Sequence, residues 1–210
     1  MASMDELRNG VRQSLPEIDD IQDTELREKV VEAWALALSE TEYGSIDDIR
    51  ASGSPHTPPL KEGTQAHHLR GVARMAVAMA DALEQLLGPL GINRDQLLAS
   101  ALCHDLGKAF EFSPRNRARW EADPAASGFP AFRHPMYGAH IALAVGLPEA
   151  VAHTVGGHSS EGEGIVRGLD ATIVQLADHA FWTILNRAGA LTETLEAARA
   201  RAATRAPNRG

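Results

Sequence analysis

The run Ala101-Leu102-Cys103-His104-Asp105-Leu106-Gly107-Lys108 sets an imidazole and a carboxylate side by side inside an apolar stretch. An ionised carboxylate taken out of water is costly unless a cation, a metal or a dense set of hydrogen bonds meets it. A chain that buries this pair must fold so that other segments deliver its partners. Taken alone, the pair also reads as a helix C-terminus with a hydrogen-bonded histidine and a capping aspartate. The rest of the chain bears on the choice, because it holds nine histidines against two tyrosines.

Apolar positions recur at helical spacing. Leu26, Val30, Trp34 and Leu38, with Val31 alongside, predict an amphipathic helix over 24–39. Val72, Met75, Met79, Leu83 and Leu86 predict a second over 64–87, where His68 lies one turn before Val72 on the inward line and His67 is rotated to the flank. Asn93 and Gln96 form a capping pair for a third helix over 94–108, with Leu97, Ala101, His104 and Asp105 on one face. His134-Pro135 opens a fourth, with proline in its favoured first-turn place, and Gly146 closes it. Leu147-Pro148 opens a fifth that stops at Gly156-Gly157, leaving His158 just past its end. Asp170 caps a sixth, in which Val174, Ala177, Asp178, Phe181 and Leu185 share a face. Almost nothing alternates with period two. The expected fold is all-α, a single bundle of about six to eight helices.

Within that bundle, residues 1–22 read as a loosely attached arm or a short first helix, 23–190 as the helical domain, and 191–210 as an amphipathic terminal helix and frayed tail. Residues 43–64 and 109–133 read as long loops, and loops of that length in a compact domain are often functional covers. Tyr43 and His56 are candidates for such a cover.

The 210 residues suit one domain. A net charge of −8 argues against broad binding to nucleic acid or acidic lipid, so no nucleic-acid scaffold role is expected. The single Cys103 excludes an internal disulfide and fits a reducing compartment. No apolar run approaches roughly 18 residues, and the N-terminus lacks the pattern of a secretory signal, so a cytoplasmic protein with no membrane partner is expected.

The inward-facing and helix-end candidates are His68, His104, Asp105, His134, His158 and Asp178, from five separate segments. Helical bundles hold dinuclear metal sites with such residues from facing helices. Nitrogen and oxygen ligands without a thiolate favour iron or manganese, with magnesium, cobalt, nickel or zinc as further choices, over a structural zinc site. Over about residues 60–190 the chain resembles the HD-domain superfamily of metal-dependent enzymes. The resemblance rests on His68-Leu69-Arg70-Gly71-Val72, His104-Asp105-Leu106-Gly107-Lys108, His134-Pro135 with Tyr137-Gly138-Ala139, His158, and Leu176-Ala177-Asp178. It implies two divalent ions: one held by His68, His104, Asp105 and Asp178, the other by His134, His158 and a bridging Asp105. Lys108 resembles the family's substrate-facing lysine, which makes Asp105 and Lys108 the candidate catalytic residues. Arg133, first among the arginines of 109–133, and His153 join Lys108 as candidates for binding a small anionic substrate. His67, His140 and His179 fall off the inward lines and read as structural or exposed.

The resemblance implies hydrolysis of a phosphate ester of a small molecule or nucleotide by metal-activated water, with Lys108 and an arginine on the remaining anionic oxygens. The alternative is a diiron oxygenase that cleaves a carbon–carbon or carbon–phosphorus bond. The phosphonate-cleaving branch carries a tyrosine and a glutamate before its first metal histidine, and residues 60–65 supply Glu62 but no tyrosine. The cyclic-dinucleotide branch carries Gly-Tyr-Pro where this chain has Gly162-Glu163-Gly164-Ile165. A catalytically inactive binding or signalling module predicts lost ligands, whereas all six positions are filled. Leu26, Trp34, Trp120 and Trp182 suit a core or an interface equally, which leaves the oligomeric state open.

Overall fold

The computed structural model describes residues 2–53 and 57–205, the last five of these by backbone alone. In chain order the helices are α1 (Met4–Ser14), α2 (Thr24–Ser39), α3 (Gln65–Leu87), α4 (Arg94–Cys103), α5 (Lys108–Phe112), α6 (Pro114–Ala122), α7 (Pro124–Ser127), α8 (His134–Ala144), α9 (Glu149–Gly157), α10 (Leu169–Arg187) and α11 (Leu195–Arg205). Among the described residues no strand forms, and single bridges join Arg50 to Thr64 and Leu60 to Leu191. The all-α fold is as expected. The helices outnumber the six to eight anticipated because 109–133, read as irregular, contains α5, α6 and α7. Pro114 and Pro124 are helix openers rather than breakers: Ser113 Oγ accepts from the Asn116 amide at 3.2 Å and Asp123 Oδ1 from the Ala126 amide at 3.1 Å.

Around the centre, α3, α4, α9 and α10 pack on one another, with α2 behind α4 and α8 against α9. Trp34, fully buried in α2, donates from Nε1 to the Leu102 carbonyl at 2.9 Å and so fastens α2 just ahead of the His-Asp pair. In α3 the buried line is His68, Leu69, Val72, Ala73, Ala76 and Ala80, not the expected series through Met79 and Leu86. Leu83 and Leu86 are exposed. The small side chains bring neighbouring helices close, and a Cβ at Gly71 would sit 2.5 Å from the Phe181 ring.

The third helix ends earlier than its pattern suggested. It stops at Cys103, residues 104–107 turn, and the chain restarts as α5. Gly107 is the contact point, since an added Cβ would lie 2.1 Å from the His134 carbonyl oxygen and 2.7 Å from the Gly138 nitrogen. The first turn of α8 thus rests directly on the backbone of the His-Asp turn. Asp170 does not cap α10, which has Gly168 at the N-cap position; its Oδ2 instead accepts from Gln96 Nε2 at 2.6 Å.

The N-terminal segment takes the second of its two expected forms, a short first helix, and is packed rather than loose. Leu7, Val11, Leu15, Ile18 and Ile21 belong to the main core and are 0–3% exposed. Ser3 and Glu6 form a capping box on α1, and the half-turn at 16–20 sends the buried Glu17 to Arg70 at 3.0 Å and Arg74 at 2.6 Å on α3. Burying five such side chains contributes roughly 1.5–3 kcal/mol each, which exceeds much of a domain's net stability. A chain lacking residues 1–22 is therefore expected not to fold. Circular dichroism checks this, and a cooperative melt of the shortened protein would restore the loose-arm reading.

At the other end, the main chains of 59–61 and 189–192 are joined by Lys61 N to Ala190 O at 2.9 Å and Thr192 N to Pro59 O at 3.0 Å. That fixes the start of α11, where Leu191 and Ala198 are buried. Among the described residues no helix is long and apolar enough to cross a membrane.

Candidate metal centre

Asp105 stands at the point where five segments meet, 1% exposed. Its two oxygens face different partners. Oδ2 lies 3.1 Å from His68 Nε2 and 3.3 Å from His104 Nε2. Oδ1 lies 3.3 Å from His134 Nε2 and 3.6 Å from His158 Nε2. Asp178 Oδ1 is 3.3 Å from His68 Nε2. The structure thus brings together all six residues expected at the centre, with His68, His104 and Asp178 on one side of Asp105 and His134 and His158 on the other.

Hydrogen bonds at the far ring nitrogens orient three of the imidazoles. His104 Nδ1 is 2.7 Å from the Ala101 carbonyl and His158 Nδ1 is 3.0 Å from the Val155 carbonyl. A carbonyl only accepts, so Nδ1 carries the proton in each, and the Nε2 of a neutral ring then has its lone pair toward Asp105. His134 does the same by donating from Nδ1 to Glu111 Oε2 at 2.7 Å. His68 Nε2 and His104 Nε2 come within 3.1 Å of each other, while His68 Nδ1 and Asp178 Oδ1 are buried without a hydrogen-bond partner. Buried polar atoms left unpaired in this way are costly. Lone pairs converging on one point fit a shared divalent cation, for which N/O ligation of about 2.0–2.2 Å is usual.

For His68, His134 and Asp105 the electrostatics agree with that fit. Burial pushes His68 down to about 4 and lowers His134 as well. Burial opposes the charge on Asp105, but Lys108 and His104 hold it well below the usual carboxylate range. For His104, burial is outweighed by the Asp105 charge, which raises it. Neutral imidazole and ionised carboxylate are the forms that bind metal. These groups can hold a divalent ion.

Two contributors lay outside the sequence reading. Gln65, one turn before His68, donates from Nε2 to Asp105 Oδ2 at 2.7 Å. Glu111, fully buried on α5, accepts at Oε2 from the His134 amide at 2.9 Å as well as from its ring, and at Oε1 from Arg133. A carboxylate behind a histidine fixes its tautomer and raises its basicity. Arg133 continues the chain to Glu161 at 2.8 Å, and Glu161 also accepts from Ser159 beside His158. Despite partial burial, those partners hold Glu161 down to about 2.

The expected substrate residues are placed differently. Arg133 is held between two carboxylates, Glu111 and Glu161, rather than presented to a ligand. His153 Nε2 accepts from the Gly168 amide at 3.0 Å and lines a separate hollow with Gln96 and Asp170. Lys108 is 1% exposed, with Nζ 2.9 Å from Asp105 Oδ2 and 2.5 Å from the Ser52 carbonyl. It tethers the 51–53 loop to the cluster. Tyr43 bonds the Phe112 carbonyl at 3.0 Å, and His56 lies outside the described residues. Beside the cluster opens a cleft of about 600 Å³ whose lining includes His158, Asp178, Trp182 and His179.

Residues 66–180 match the family model described as the HD domain. A dihydroneopterin 2',3'-cyclic phosphate phosphodiesterase from Methanocaldococcus jannaschii is 34% identical over 98 residues, which covers 45% of this chain. The chain spans 39% of that relative's length. No solved structure matches.

Proposed function

The chain belongs to the HD-domain family, and on that premise we propose that it is a metal-dependent phosphohydrolase acting on a phosphate ester of a small molecule or nucleotide. The observation that carries the reading is the two-sided Asp105, with Oδ2 toward His68 and His104 and Oδ1 toward His134 and His158. His68, His104, Asp178 and Oδ2 would hold one ion, and His134, His158 and Oδ1 a second, with iron or manganese the first choices. The relative from Methanocaldococcus jannaschii is named for a 2',3'-cyclic phosphate, which makes that ester class the first to try.

Bound cations supply Lewis acidity, which acidifies water and neutralises charge on phosphoryl oxygens. The chain's own groups prepare the site for this chemistry. Lys108 keeps Asp105 ionised at 2.9 Å, and the carbonyls of Ala101 and Val155 hold His104 and His158 in the tautomer that frees Nε2. In the hydrolysis, water oxygen bonds to phosphorus, one ester P–O bond breaks, and the departing alcohol takes up the proton. The cleft beside His158 and Asp178 accommodates the organic group.

Metal-stripped protein reloaded separately with manganese, iron, magnesium, cobalt, nickel or zinc tests the reading against nucleoside 2',3'-cyclic phosphates and p-nitrophenyl phosphate. Hydrolysis that chelation abolishes and one of these metals restores is the expected result. No hydrolysis with any metal, together with oxygen consumption by diiron-loaded protein, would replace it with the oxygenase.

A further inference from the structure

Gln175, Asp178, His179, Trp182 and Thr183 follow one another on α10 at spacings of three, four, seven and eight residues, and all of them line the cleft beside the cluster. That spacing is one helix face. Such a stripe is ordinarily apolar where it faces protein; here it is polar with a single aromatic. Among the described residues, Gln175, His179 and the Trp182 indole N–H make no hydrogen bond. This face carries recognition groups that the protein itself does not satisfy.

Trp182 is held in place before any ligand arrives. His68 lies against it at 4.9 Å with a 31° tilt, and the Phe181 ring meets it edge-on at 5.3 Å. An immobilised indole loses little freedom when a flat ring stacks on it. At the rim, Arg187 lies 3.9 Å from Glu196, Glu163 is paired with Arg167 at 3.0 Å, and Arg199 also lines the cleft. A volume of about 600 Å³ lies within the range of small-molecule pockets.

We propose that this cleft is the subsite for a flat heterocyclic group of the ester, stacked on Trp182, with Gln175 and His179 bonding its polar edge. The phosphate then lies at the His158 and Asp178 end. The proposal rests on the phosphohydrolase reading for that end alone.

Fluorescence tests it directly. Trp34 and Trp120 are 0% and 2% exposed, so a change in emission caused by a cleft ligand arises at Trp182. Full-length protein titrated with guanosine 2',3'-cyclic phosphate is expected to show saturable quenching. Ribose 5-phosphate, which lacks the heterocycle, should leave the emission unchanged. Trp182→Phe should erase the quenching while calorimetric affinity stays within about threefold, since an aromatic face remains. Trp182→Leu should weaken affinity and raise KM by roughly 5- to 150-fold, the size of base–aromatic stacking. Equal binding of the two ligands, or nucleotide affinity unchanged in Trp182→Leu, overturns the proposal. If Trp182→Leu fails to fold, the two wild-type titrations still decide. Nucleotide quenching without hydrolysis would leave the subsite standing and remove the phosphohydrolase. Hydrolysis of nucleotides indifferent to Trp182→Leu would do the reverse.

Discussion

Asp105→Ala is expected to remove bound metal and hydrolytic activity together and to lower thermal stability. The carboxylate touches four imidazoles through its two oxygens, so no other residue replaces it on either side. Its loss also leaves Lys108, 2% exposed at the side chain, with an ammonium that keeps the Ser52 carbonyl and the faces of the Phe112 and Trp182 rings as near partners. Removing one member of a buried charge pair costs about 3–5 kcal/mol, and each kcal/mol moves the Tm of a domain this size by about 2–4 °C. The Tm is therefore expected to fall by roughly 6–20 °C. Elemental analysis and a thermal melt read the two effects separately. Adding Lys108→Met to Asp105→Ala replaces the orphaned charge with an apolar chain, so the melt should recover much of its loss while the metal stays absent. Full metal content and activity in Asp105→Ala would show that the cluster is not the metal site.

The parts of this site that were legible from residues alone are those that helical spacing controls. His68 shares the inward line of α3 with Val72, and His134 and His158 fall at helix ends marked by Pro135 and by Gly156-Gly157. Their assembly as one set came from the family resemblance, because spacing does not say which helix ends meet. Lys108 took its substrate-facing role from the resemblance alone, and the structure sets its ammonium between Asp105 and the Ser52 carbonyl. The break at 104–107 accompanies a contact between Gly107 and the start of α8, which no local pattern records. His153 lies five residues before His158, about 140° around a helix at 100° per residue, so nearness in sequence put it on the wrong side of α9. Arg133 was read as a candidate for binding an anionic substrate, and the extended backbone at the α8 N-cap sets it between Glu111 and Glu161. Glu111 gave a weak local sign, a carboxylate between Phe110 and Phe112, and its role depends on α8 arriving from elsewhere in the chain.

Glu111→Ala is expected to damage one side of the cluster and spare the other. The substitution leaves the His134 ring N–H, previously bonded at 2.7 Å, and the His134 amide, bonded at 2.9 Å, without their acceptor, and deprives Arg133 of one of its two carboxylates. With a buried charged partner removed, about 3–5 kcal/mol of stability should go with it. The effect on metal is more specific. Without Glu111, His134 is no longer compelled to carry its proton on Nδ1, and a ligand histidine stripped of such support typically costs 10–100-fold in metal affinity. His68 and His104 make no bond to Glu111, and His104 keeps its own anchor at the Ala101 carbonyl. Calorimetric titration of metal into stripped protein should accordingly show one class of site weakened by about 10–100-fold and one unchanged. Glu111→Gln, which retains an acceptor for His134 but sets an amide against Arg133, should fall between alanine and wild type. Arg133→Met acts one bond further away and should cost less than either. Equal weakening of both classes would mean that Glu111 supports the fold as a whole. An unchanged titration would mean that His134 is held by other contacts, and the two-sided division of Asp105 would no longer describe two metal positions.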